Sequence, residues 1–316
     1  MDKRKQDNRQ KCKIKKLFSA LFAMLLVLTL IQTTANAADN KSGKLNAWEK
    51  QVKVGKYYYK SDSSGLYISS KKGKTGTLLL PKNKDGQTYD HNAYFSGNYI
   101  YYSYSIQNSK SYLYRMKVNG KSKKMIAEIA AKKEDASGMI EFVYKNQVIY
   151  SHSDINGSDV YSINVKTKKV KYLKGYSFSA VNSEQTLSDC YHYKNYYAVD
   201  VGGYKGDLYP TEKYIFNAKT QKLKRISKEA WAIAIAGKDV YYLENDINNS
   251  CRLMRCDVNG KSKKKLKTIK NEGNSYAGLT FHKVTSKYCI YTSWEGDSVV
   301  YYKYTFSTKK TQKVQV

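Results

Sequence analysis

A heptad that occurs twice word for word, turn signals at a near-constant interval, and tyrosines in alternating runs together predict an all-β chain. The predicted architecture is a six-bladed β-propeller of four-stranded antiparallel blades, preceded by a signal peptide. The heptad is Val118-Asn119-Gly120-Lys121-Ser122-Lys123-Lys124, and it returns as Val258-Asn259-Gly260-Lys261-Ser262-Lys263-Lys264. Tyrosine accounts for 32 of 316 residues, while glycine (19) and proline (2) are not enriched. Aromatic and β-branched side chains suit a pleated, half-buried surface.

The N-terminus reads as a targeting segment. Met1 to Lys16 carries eight Lys or Arg against Asp2 and Asp7. Leu17 to Ile31 is apolar, and Ala35-Asn36-Ala37 is a small-x-small cleavage signal. The apolar run is shorter than the roughly 20 residues of a membrane span, so cleavage is expected and no stable span afterwards. Loss of residues 1–37 leaves 48 basic and 24 acidic residues, formally +24. That charge favours anionic surfaces, and export turns the expectation from nucleic acid to wall polymers. The long, Lys-rich leader resembles those of Gram-positive bacteria. Cys12 leaves with it; Cys190, Cys251, Cys256 and Cys289 remain, and four cysteines allow three pairings. A chain this long needs no bridge to supply a core, and buried free thiols are expected.

Residues 38–46 form a short polar linker, and residues 47–316 are the propeller. Aligning each unit on Asn119 gives the equivalents Lys72, Lys166, Lys219, Asn259 and Ser307, with gaps of 47, 47, 53, 40 and 48 residues. The approximate blades are 47–81, 91–130, 138–175, 186–228, 230–270 and 277–316. Each second strand carries a short apolar run, as in Ile100-Tyr101-Tyr102, Val148-Ile149-Tyr150 and Val240-Tyr241-Tyr242. A polar turn follows, such as Asp62-Ser63-Ser64-Gly65 or Glu295-Gly296-Asp297. The third strand alternates around pairs such as Tyr114/Met116 and Tyr302/Tyr304, and Asn-Gly is expected to supply the positive φ angles of a tight hairpin.

The fourth strands are Lys-rich, as in Lys222-Leu223-Lys224-Arg225-Ile226 and Lys264-Lys265-Leu266-Lys267. A fourth strand is a blade's outer edge, where lysine discourages pairing with another chain. Much of the basicity is therefore edge protection. Ala47-Trp48 with Gly55-Lys56 echoes Ala230-Trp231 with Gly237-Lys238, relating the first and fifth units. The longest irregular stretch, Tyr176 to Ser188, is the candidate functional insertion.

Tyr101-Tyr102-Ser103-Tyr104, Ile290-Tyr291-Thr292-Ser293, Arg115-Met116-Lys117-Val118-Asn119-Gly120 and Arg255-Cys256-Asp257-Val258-Asn259-Gly260 carry a family resemblance. Residues 47–316 resemble the YWTD-type propeller of low-density-lipoprotein receptor-related proteins. They resemble more closely the secreted bacterial propellers named after that likeness, and TolB-like six-bladed propellers share the pattern. No unit has a literal Tyr-Trp-Thr-Asp, so the receptor's contacts between blades do not carry over. The bacterial resemblance implies a six-bladed secreted binding or scaffold module without catalytic residues to transfer.

The chain has no Gly-x-Ser-x-Gly elbow, no His-Glu-x-x-His and no Cys-x-x-Cys. Cys190-Tyr191-His192 lacks the further ligands that zinc needs. Asp154-Ile155-Asn156-Gly157-Ser158-Asp159 resembles a calcium loop but lacks the distal Glu and sits at a turn position, as does Asp246-Ile247-Asn248-Asn249. No metal or other cofactor is expected. Loops joining units and loops between second and third strands share one face, where 14 of the 24 remaining carboxylates fall. An acidic, Tyr/Trp-containing face above a basic rim is one reading; the other is that acidic residues favour turns. Trp294, Glu295 and Asp297, with His91, His152, Asp154 and Asp246, form the candidate ligand surface.

Two functions follow from these observations. The first is a secreted or cell-wall-associated, non-catalytic binding or scaffold module, monomeric, for an anionic cell-wall polymer, an extracellular glycan or a protein. The second is a propeller enzyme, a glycoside hydrolase or lyase, with paired carboxylates at the central funnel.

Overall fold

The structure is a computed structural model. It describes residues 43–45, 50–90, 92–106, 109–130, 137–154, 157–173, 178–181, 187–188, 191–201, 211–246, 250–270, 279–295 and 298–316, with backbone alone at 137, 153, 154, 157, 158, 179, 187, 188 and 294. The expected signal peptide lies outside the described residues.

Four-stranded antiparallel meanders recur along the chain. The first joins Val52–Val54, Tyr57–Asp62, Gly65–Ser69 and Thr77–Pro81. The second joins Tyr94–Ser96, Tyr99–Ile106, Lys110–Lys117 and Lys124–Ala130. The third joins Ser137–Tyr144, Gln147–Asp154, Gly157–Asn164 and Val170–Tyr172. In the fourth, Phe178–Ala180 and His192–Tyr193 both pair with Tyr196–Val201, followed by Thr211–Asn217 and the start of Lys222–Ala236. That 15-residue strand runs on into the fifth unit, with Asp239–Asn245, Ser250–Asp257 and Lys264–Lys270. The sixth joins Phe281–Val284, Tyr288–Glu295, Ser298–Thr305 and Thr311–Val314.

The second strand of each unit is flanked by two others, and in the second, third and fifth units it is buried on both faces. Ile100, Tyr101 and Tyr102 are all buried, as are Val148, Ile149 and Tyr150, and Val240, Tyr241 and Tyr242. Double burial explains why these strands read as apolar runs rather than as in–out alternation. Each apolar cluster crosses a seam between units. One joins Tyr59 and Leu66 to Phe95 and Tyr102; another joins Tyr241 and Leu253 to Phe281 and Tyr291.

Tyrosine serves this arrangement because its ring fills the seam while its hydroxyl reaches a partner. The Tyr104 hydroxyl donates to the Pro81 carbonyl at 2.8 Å and that of Tyr304 to the Leu266 carbonyl at 3.2 Å; Tyr59 donates to the Val118 carbonyl. In each case the partner lies in an adjacent unit.

The repeated heptad makes the same kind of contact. Lys123 Nζ donates to the Leu79 carbonyl at 2.8 Å, and Lys263 Nζ to the Ile226 carbonyl at 2.6 Å. Leu79 and Ile226 belong to the outer strands of the first and fourth units, each preceding the unit that holds the lysine. Cβ atoms added at Gly120 and Gly260 would lie 2.6 Å from Leu79 Cδ1 and 3.2 Å from Ile226 Cδ1. The heptad therefore closes a hairpin and clamps its unit to the one before. The turn chemistry differs from the Asn-Gly expectation. Gly120 and Gly260 adopt positive φ (81° and 73°), but the second left-handed residues are Ser122 and Ser262 (57° and 55°), not the asparagines. Gly120 N donates to Lys117 O, a type of closure in which Asn119 stays right-handed.

The third, fourth and sixth units use another turn, with left-handed Lys168, Gln221 and Lys309. Their amides return to the carbonyls of Asn164, Asn217 and Thr305. Asn164 and Asn217 also cap the turn through their side chains.

Two stretches expected to be irregular contain strands. Gly43–Leu45, within the expected linker, pairs with Tyr94–Ser96 on one side and Leu187–Ser188 on the other. Phe178–Ala180 and Leu187–Ser188 both come from the Tyr176–Ser188 stretch. Cys251, Cys256 and Cys289 are buried free thiols, as expected, and burial pushes them up to about 12, 11 and 12. Cys190 lies outside the described residues.

Candidate functional site

The sequence-predicted surface is partly visible. His91 and Asp297 lie outside the described residues, and Trp294 and Asp154 are described by backbone alone. Asp154, Asp246 and Glu295 fall at equivalent places, four residues beyond Tyr150, Tyr242 and Tyr291 in their respective second strands or just past them. They thus belong to three different units.

Glu295 accepts hydrogen bonds from the Tyr302 hydroxyl and from Lys313 Nζ, the latter at 2.8 Å. These donors, lysine first, hold its carboxyl below the usual glutamate range. Asp246 lies 3.6 Å from Arg252 Nε, and Glu244 lies 3.4 Å from Arg252 Nη2. The pattern of same-unit partners extends to Asp200–Lys213, Glu212–Arg225 and Asp239–Arg255. Glu244, Asp246 and these three acids pair with a base on the neighbouring strand, whereas Asp62 accepts from the Ser64 amide and Asp159 from the Tyr172 hydroxyl, so the described acids are locally partnered rather than gathered into one acidic face.

His152 is a packed ring. It is buried, flanked by Tyr150 at 5.4 Å and Tyr161 at 6.1 Å between ring centroids. Neither ring nitrogen has a hydrogen-bond partner among the described residues. Burial holds its imidazole below the usual range despite Asp159. Around it lies a buried polar group that the sequence reading did not single out. Asn92 Nδ2 donates to the Gly138 carbonyl (2.8 Å) and to Ser103 Oγ (2.9 Å), bridging the second and third units. Asp90 accepts from Ser103 and Ser105 Oγ, and burial pushes it up to about 6. Glu141, at a bulge in the third unit, accepts from Ser151 Oγ and from the Ala180 amide of the fourth unit at 2.7 Å. No sequence spacing announces these residues; the meeting of inner strands creates the cluster.

Among the described residues, grooves open at two successive seams, each between one unit's outer strand and the face of the next. The smaller, about 140 Å³, lies between the fifth and sixth units and is lined by Lys267, Ile269, Lys270, Tyr291, Ser293, Glu295, Tyr302 and Thr311. Its two tyrosine rings stack at 5.9 Å. The groove offers an aromatic wall, a fixed carboxylate acceptor and ammonium donors, which suits hydroxyl-rich ligands. The larger, about 610 Å³, lies between the fourth and fifth units. Among the described residues no three His, Cys, Asp or Glu gather closely enough to hold a metal ion.

No protein-family model matches the chain, and no curated protein matches it. Solved structures do. Oligopeptidase B from Leishmania major is 10% identical, with a TM-score of 0.54 over 88% of this chain and 42% of its own. An uncharacterized Listeria monocytogenes protein is 10% identical, with a TM-score of 0.47 over 87% of this chain and 83% of its own. TolB from Acinetobacter baumannii is 11% identical, with a TM-score of 0.37 over 86% of this chain and 62% of its own. The chain thus spans less than two thirds of two of these proteins. Its several four-stranded antiparallel sheets match β-propeller structures, and identity at this level speaks to the fold alone.

Proposed function

We propose that the protein is a secreted six-bladed β-propeller acting as a non-catalytic binding module for an extracellular polymer. The groove between the fifth and sixth units forms part of the ligand surface, with Trp294 and Asp297 beside it in sequence. One observation carries this reading. Glu295, in that groove, is held ionised by Lys313 and the Tyr302 hydroxyl. A general acid for glycoside cleavage needs its pKa raised towards neutrality. A carboxylate tuned downwards and already oriented is instead a hydrogen-bond acceptor for hydroxyls.

The exposed edge lysines add a diffuse attraction to anionic wall material, which salt weakens. The test is binding of cell-wall fragments and soluble glycans to the secreted protein and to its Glu295→Ala, Trp294→Ala and Asp297→Ala variants. Retention on one fraction, weakened about tenfold by Glu295→Ala with the fold intact, is the expected result. Wild-type binding by all three variants, or product formation from any glycan, refutes it.

A further inference from the structure

The larger groove has a different chemistry from its neighbour. Its lining includes four cationic side chains, Arg225, Lys228, Arg252 and Lys263, against Glu229 and Glu244, with Ser227 and Asn245 between them. Several of these are fixed. Lys263 is tied to the Ile226 carbonyl across the seam. Ser227 Oγ, itself buried, donates to Glu244 Oε1 at 2.8 Å. Arg225 leans on Glu212 at 3.2 Å.

Arg252 is held more loosely. Its separations of 3.4 and 3.6 Å from Glu244 and Asp246 exceed the 2.7–2.9 Å of a good charged hydrogen bond. Its Nε is buried and makes no hydrogen bond among the described residues. The nearest oxygen, Asp246 Oδ2 at 3.6 Å, pairs its charge without completing that hydrogen bond, so a better-placed anionic oxygen that displaces Asp246 can complete it. The planar fork of a guanidinium suits a group with two such oxygens. Lys228 is exposed on the same lining and supplies a second charge.

We infer that the groove between the fourth and fifth units is an anion subsite, in which Arg252 and Lys228 bind a phosphate or carboxylate group repeated along an extracellular polymer. This rests on the binding reading above and assigns it a ligand class. Here the anion is recognised at one place, whereas edge lysines attract it from every unit. Phosphate and carboxylate offer the same paired oxygens, so the source must come from experiment.

The test is calorimetric titration of the secreted protein, at about 50 mM salt to limit screening. The probes are inorganic phosphate, a short poly(glycerol phosphate) and a short carboxylated polysaccharide. One of the two chains is expected to bind, and the tighter one identifies the source. Arg252→Gln and Lys228→Gln should each weaken it about tenfold. Lys171→Gln, on the third unit's outer strand, should change it less than twofold. Because Lys228 is exposed, that variant keeps the test valid even if Arg252→Gln unfolds. Equal losses from Lys171→Gln and Lys228→Gln would mean diffuse charge only and overturn the inference, as would no binding of either chain. Glu295→Gln separates the two sites. Polymer binding lost there but unaffected by Arg252→Gln and Lys228→Gln overturns the anion subsite and leaves the binding reading standing.

Discussion

Replacing Lys123 and Lys263 by methionine tests whether the repeated heptad is a clamp or an edge ornament. Methionine keeps most of the aliphatic stem and removes the ammonium. Each change deletes one charge-assisted hydrogen bond, of 2.8 and 2.6 Å, to a carbonyl of the preceding unit. Such bonds contribute about 1.5–3 kcal/mol when buried. Both lie near the surface, so about 1 kcal/mol is the better figure for Lys263. Lys123 should count for less, because burial and Lys84 already hold its ammonium below the usual lysine range, and methionine relieves that cost. The two sites are 140 residues apart in sequence, share no partner and should add. With a urea slope of about 2–3 kcal/mol/M, the double variant should unfold about 0.3–1 M earlier. Lys121→Met and Lys261→Met, equally exposed in the same heptads but without a side-chain bond across a seam among the described residues, are the controls and should change little. A double variant that unfolds with the wild type, or controls that lose as much, would refute the clamp.

Two further predictions concern the junction of the second and third units. Alanine at Gly138 would place Cβ 1.7 Å from Tyr150 Oη and 3.0 Å from Ser111 Oγ; a loss of about 2–3 kcal/mol or more in urea unfolding is expected. Tyr150→Phe in the same chain should recover part of it, and equal losses with and without that hydroxyl would contradict the packing argument. Asp90 is raised from 3.8 to about 6, so its contribution to stability is full below about 3.8 and is lost as pH rises through about 6. Asp90→Asn should therefore stabilise the protein by about 1–3 kcal/mol at pH 8 and flatten the wild-type fall in melting temperature between pH 4 and 7. Parallel pH profiles for the two proteins would show that Asp90 is not the group responsible.

Strand identity was legible in the residues because it depends on local chemistry. The paired tyrosines of Tyr101-Tyr102 and Tyr241-Tyr242, the polar turns and the Lys-rich outer strands mark second strands, hairpins and edges without reference to distant residues. The lysines were read less completely. Lys124 and Lys264 open the outer strands and are exposed there as expected, while Lys121 and Lys261 sit in the turn and Lys123 and Lys263 reach across a seam, which no spacing within one unit discloses. The strand Gly43–Leu45 escaped notice for a similar reason: its partners, Tyr94–Ser96 and Leu187–Ser188, lie far along the chain. The continuous strand Lys222–Ala236 merges two expected elements, because no proline or glycine interrupts it.

By itself, then, the sequence determined the strand class, the repeat and the turn positions, since hydrophobic period and turn chemistry act over a few residues. Only the tertiary structure decided which polar groups meet. It paired Glu295 with Lys313 and Tyr302, buried His152 between tyrosines, and set Asp90, Asn92 and Gly138 together at one junction. The same packing opened a groove beside Arg252. Such contacts depend on how one unit's edge lies against the next unit's face, and that geometry is a property of the assembled sheets rather than of any stretch of sequence.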